Sequence, residues 1–157
     1  MLQEQAIQTD VDIPHPTLKF VHRLEIDVDD PVVVPSGPRG ARYCIPVLGG
    51  TFHGVDENIR GDIVSPSSDF AVGHADGSGV SLKVNFVMKT HDGAALLGIV
   101  EGRSARDPKD PTCAQIHSSK TFETGDERFR WMNNQVFVGR GKKEGKKVMI
   151  NYYQVIG

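Results

Sequence analysis

Two cysteines and one tryptophan are all that 157 residues hold of those types. Cys44 and Cys113 stand far apart and form no Cys-x-x-Cys, so the spacing writes neither a zinc ribbon nor a disulfide framework. An intracellular, reduced, cytoplasmic protein is expected. The six histidines contain no His-x-His and no His-Glu-x-x-His, so no metal site is expected. Gly139-Arg140-Gly141 lacks a following helical pattern, and no Gly-x-Ser-x-Gly elbow occurs, so no nucleotide or other cofactor is expected. No apolar run approaches the roughly 20 residues of a membrane span. The formal net charge of −2 argues against a nucleic-acid partner. No signal-peptide pattern opens the chain, and residues 1–16 read as a flexible, polar N-terminal arm.

What the sequence does have is alternation and punctuation. Its 17 glycines and nine prolines are scattered between apolar runs, as turns between strands are. Thr17 to Val28 alternates, with Leu18, Phe20, Leu24, Ile26 and Val28 on one face. Further strands are expected at Val32–Val34, Arg39–Leu48, Ile59–Val64, Asp69–Ala75, Val80–Thr90, Ala94–Arg103 and Gln115–Thr124. The last hairpin is expected at Trp131–Gly139 and Lys146–Ile156, across a lysine-rich tip. Ser65-Pro66-Ser67-Ser68, Asp76-Gly77 and His91-Asp92-Gly93 read as turns, and Gly125–Phe129 as one helical turn or a bent loop. No segment keeps a helical period over three turns. The expected fold is therefore all-β: residues 17–157 as a single antiparallel up-and-down barrel of about eight to ten strands with an internal cavity. Closure would remove the sticky edges of an open sheet.

A set of short motifs resembles a known family. These are Gly40-Ala41-Arg42, Pro46-Val47-Leu48-Gly49-Gly50-Thr51-Phe52-His53-Gly54, Asp69-Phe70, Asp76-Gly77 and Thr90-His91-Asp92-Gly93. The most specific is Phe122-Glu123-Thr124-Gly125-Asp126 leading into Phe129-Arg130-Trp131-Met132-Asn133 and Val136-Phe137-Val138-Gly139. In order and spacing they resemble the DUF3237 family from about Leu18 to Val155. The resemblance implies a small β-barrel and, by itself, no reaction. The chain departs from the family pattern at Phe70, where tryptophan is usual, at Gly54-Val55, where Gly-Pro is usual, and at Asn85-Phe86, where Arg-Tyr is frequent. The Asn85 change removes a bidentate anion clamp. If these positions face the cavity, the pocket is reshaped, as in an enzyme of specialised metabolite biosynthesis.

Candidate chemistry follows from residue type. Asp69 and Glu123 are the candidate catalytic carboxylates, either of them the expected acid–base group, since a carboxyl in a low-dielectric cavity can donate or take a proton near neutrality; the plain alternative is turn chemistry. Arg42 and Asn133 could recognise substrate oxygens, or tie an acid and a loop. Trp131 and Phe70 could shape the pocket, and Trp131 could equally plug a barrel end. His53, after two glycines, could line the mouth, and Asn85 completes the candidate binding set. His22 is either a satisfied core residue or an internal acid–base group. Cys113 with His117 is a weak nucleophile pairing. Lys83 and Glu101 are of ambiguous facing.

The expected function is a cofactor-independent enzyme of isomerase, lyase or cyclase type acting on a small organic molecule. The alternatives are a non-catalytic carrier of a hydrophobic metabolite and a solid structural barrel. A homodimer through exposed strands is a further expectation.

Overall fold

The computed structural model describes residues 12–157. Nine strands follow one another: β1 (Thr17–Val28), β2 (Val32–Gly37), β3 (Gly40–Gly54), β4 (Arg60–Gly73), β5 (Val80–Thr90), β6 (Ala95–Arg106), β7 (Cys113–Glu123), β8 (Phe137–Glu144) and β9 (Lys147–Ile156). From β3 to β9 each strand pairs antiparallel with the next; β9 then pairs with β1, and β1 with β3. Eight strands thus close a barrel, while β2 hangs on β3 alone. This is the all-β antiparallel barrel expected from the alternation. Of the residues read as an arm, 1–11 lie outside the described residues, and 12–16 have no regular structure.

Three local expectations need correction. The first strand does not present one unbroken apolar face. Its register against β9 shifts between Phe20 and His22, and a bulge of this kind reverses which side chains point inward. Leu18 and Phe20 are therefore outside, where Phe20 meets Tyr153 edge-on at 5.6 Å, while His22, Leu24, Ile26 and Val28 are buried. Secondly, Ser65–Ser68 does not separate two strands; β4 runs through it as an irregularity in the pairing. The Ser67 hydroxyl donates to the Val64 carbonyl at 2.6 Å and accepts from the Val87 N–H at 2.9 Å, replacing ladder bonds lost there. Thirdly, Trp131 does not start a strand. Arg130–Asn134 is a 3-10 helix, and β8 begins only at Phe137. Phe129 and Met132, three apart and both almost wholly buried, sit on one side of that tight turn and stop one end of the barrel.

Closure depends on β1 meeting β3. Asp27 and Ile26 lie opposite Gly49 and Gly50. A Cβ on Gly50 would stand 2.2 Å from the Glu25 carbonyl oxygen, and its φ of +152° disfavours a side chain. Gly50→Ala is expected to destabilise the barrel by about 1–3 kcal/mol, through overpacking at the seam. Urea unfolding followed by fluorescence of Trp131, the single tryptophan, measures it.

Candidate functional site

Opposite the 3-10 plug, the barrel encloses a cavity of about 290 Å³. Its walls are aliphatic: Ile26, Val28, Ile45, Val47, Leu82 and Val84 are among them, with Phe86, Ile116 and Ile150 further in. Four side chains bring polar atoms to it: Tyr43 from β3, Asp69 from β4, Ser104 from β6 and Lys143 from β8. Tyr43, Ser104 and Lys143 also line the outer rim, with His74 and Arg106. His74 is set there by its ring nitrogens, 2.9 Å from the Ser81 hydroxyl and 3.2 Å from that of Ser78.

Asp69 is the one acid of the cavity. It follows Ser67 on the inward face of β4, between Ile45 and Val84 on the neighbouring strands, and is 8% exposed. Burial pushes its carboxyl up to about 6; the Lys83 N–H, which donates to Oδ1 at 3.0 Å, and the positive charge of Lys143 pull less strongly the other way. A carboxyl so placed exchanges protons near neutral pH. Because its folded value is raised, it contributes stability at low pH that is lost as the pH rises through about 6. Between about pH 5 and pH 8 the wild type is therefore expected to lose on the order of 1–2 kcal/mol relative to Asp69→Asn, read from paired denaturation curves.

The other residues singled out from sequence lie elsewhere. Glu123 is exposed at the far end of β7, beside a shallow outer groove that includes Val87, Leu97 and Asn133. Arg42, half-buried next to Tyr43, donates to the Phe70 carbonyl at 3.1 Å. His53, Phe70 and Asn85 are exposed. Of the departures from the family pattern, Phe70 and Asn85 therefore lie outside the cavity, whereas Phe86, the other half of the Asn85-Phe86 departure, lines it. Lys83 and Glu101 are exposed and face each other across β5 and β6. Trp131 sits on the plug, 42% exposed, with its ring 6.2 Å from that of Phe137. The Asn133 amide accepts from the Thr124 N–H and donates to the Thr124 carbonyl, each at 2.9 Å. Arg128 clasps Asp126 and Asp92, which ties the same segment to the β5–β6 turn. The Phe122–Asn133 motif thus builds the closed end, while Asp69 stands in the cavity. Cys44 and Cys113 are free thiols, and Cys113 lies beside Asp110 and Glu144.

Sequence reasoning missed Tyr43, Ser104 and Lys143. Tyr43 has the same parity on its strand as Ile45 and Val47, which was the available signal. It also missed Lys120, which shares parity with Ile116 and Phe122 and is fully buried in the half of the barrel nearer the plug. Its Nζ lies 3.1 Å from Nε2 of the equally buried His22. Burial holds both groups well below their ordinary values, and their mutual repulsion adds to the effect on His22. The folded state then binds fewer protons than the unfolded chain, so stability is expected to rise with pH toward the ordinary lysine value of 10.5. Lys120→Met is expected to raise stability at neutral pH by about 1–4 kcal/mol, a gain that shrinks in alkaline solution. Thermal melts across that pH range check both statements.

Fold and cavity together define a small antiparallel β-barrel built around an apolar chamber that holds, among the described residues, a single buried acid. The chain belongs to the DUF3237 family, described as proteins of unknown function, whose model matches residues 16–155. Among curated relatives, a UPF0311 protein of Rhodopseudomonas palustris is 28% identical over 154 residues, covering 90% of this chain and 99% of the relative. One from Clostridium acetobutylicum is 25% identical, covering 86% and 91%. Among solved structures, a β-barrel-like protein from Acinetobacter baumannii has a TM-score of 0.82 at 23% identity, over 92% of this chain and 99% of that one. A structure described as an enzyme from Penicillium herquei has a TM-score of 0.73 at 18% identity, over 94% and 100%. Among the described residues no helix is long and apolar enough to cross a membrane.

Proposed function

We propose that the chain is a cofactor-independent enzyme that moves a proton on an apolar small molecule held in the barrel, in a reaction of isomerase, lyase or cyclase type within specialised metabolite biosynthesis. The observation that carries the reading is Asp69: a carboxyl raised to about 6 and held in an otherwise aliphatic chamber. At neutral pH it is mostly ionised and acts first as a base, then returns the proton as an acid. The Lys143 ammonium and the hydroxyls of Tyr43 and Ser104 are the groups available to hold an oxygen of the substrate as charge develops there. The chamber is about twice the ~150 Å³ apolar cavity that takes up benzene, which sets the occupant near two rings in size. That one solved barrel of this shape is described as an enzyme supports the reading at the level of fold.

The nearly continuous aliphatic lining favours a second reading, a carrier that binds a hydrophobic metabolite and releases it unchanged. One experiment separates the two. The protein is incubated with extract of the cells it comes from, and bound and released molecules are identified by mass spectrometry beside Asp69→Asn. An enzyme converts its ligand; the variant still binds it but turns it over about 10²–10⁴-fold more slowly, and wild-type turnover rises through about pH 6. Release of the same molecule unchanged by both proteins supports the carrier and refutes catalysis.

A further inference from the structure

The closed half of the barrel holds a second reactive group that the acid–base step at Asp69 does not use. Lys120 Nζ lies 4.5 and 4.4 Å from the ring centres of Phe122 and Tyr152 and 3.5 Å from Met88 Sδ. Among the described residues its ion-pairing distance holds no carboxylate, and its one nitrogen or oxygen partner is His22 Nε2. Gly98 makes the room: a Cβ there would stand 2.7 Å from Lys120 Cε. Burial in such a place favours the neutral amine, whose lone pair is what attacks carbon. In the same region, among the described residues, His22 Nδ1 is buried without a hydrogen-bond partner, and the buried hydroxyls of Ser118 and Tyr152 have no partner beyond each other. Unsatisfied groups are uncommon inside proteins, and an orphaned imidazole nitrogen with two hydroxyls that have no other partner describes the surroundings of a polar atom yet to arrive. The Phe86 ring lies between the two halves: it lines the cavity, and its centre is 5.8 Å from Nζ.

We propose that Lys120 is a nucleophile that captures a small apolar aldehyde or ketone from the cavity as an imine, with His22 carrying the protons. The Nζ lone pair attacks the carbonyl carbon while the C–O π pair moves to oxygen. His22 takes a proton from the new ammonium and gives it to that oxygen, forming a carbinolamine. The nitrogen lone pair then expels the oxygen as water, with the second proton moved in the same way, and a C=N bond remains. Amine plus carbonyl gives imine plus water, with no oxidant or reductant. The hydroxyls of Ser118 and Tyr152, which have no partner beyond each other, turn to hold the oxygen during addition, and rotation of Phe86 opens the floor. Asp69 takes no part in these steps.

The test is reductive trapping on the wild-type protein. It is incubated with hexanal and cyanoborohydride at neutral pH, and its peptides are mapped by mass. The Lys120 peptide is expected to carry the hexyl group at least ~10-fold faster than those of the exposed Lys19 and Lys83. His22→Gln is expected to slow labelling of Lys120 and leave the exposed lysines unchanged. Labelling confined to exposed lysines, or an unlabelled Lys120, overturns the proposal whether or not the variant folds, and does so without bearing on Asp69.

Discussion

Everything described above depends on one contact, the pairing of β1 with β3. Seven of the eight barrel strands follow one another in the chain, and hairpins alone would leave them as an open, twisted sheet. The ring is completed by β1 on both sides, with β9 along one edge and β3 along the other. The β3 side has little room, and glycine at position 50 is how the backbones come together. Only a closed ring has an inside. Desolvation of Asp69, enclosure of Lys120 and an aliphatic chamber are all consequences of that seam.

The interior is graded along the axis. Near the mouth, aliphatic walls surround one acid, with a lysine, a tyrosine and a serine from three other strands. Near the plug, aromatic rings and a thioether surround a buried amine and an imidazole. The acid and the amine do not pair with each other. Had they done so, mutual attraction would have held both in their charged forms and removed the reactivity of each. The Phe86 ring, which lines the cavity and has its centre 5.8 Å from Lys120 Nζ, stands between the two groups.

Much of the fold was legible because period-two alternation and Asp-Gly turns are local signals. β1 and β5 have the bounds their alternation implied. What failed were places where a local signal was absorbed by pairing. Phe20 changes sides because a bulge adds a residue, and Ser65–Ser68 looks like a turn until Ser67 replaces the missing ladder bonds. The site was less legible. Asp69 could be named from residue type, but Tyr43, Ser104 and Lys143 come from three other strands, and their meeting depends on register across the ring. Lys120 was hidden by its own chemistry, since a lysine on a strand is ordinarily read as solvent-facing even when its parity puts it inside.

The Thr124–Asn133 clasp has a wider implication. The most specific stretch of the resemblance, Phe122 to Asn133, is spent on stopping one end of the cylinder, while the chamber opens at the other through residues drawn from separate strands and loops. The stretch that marks kinship and the lining of the chamber are therefore written in different parts of the molecule. A stopper tied within its own loop carries closure of that end by itself, so side chains at the mouth can change without opening the cylinder from below.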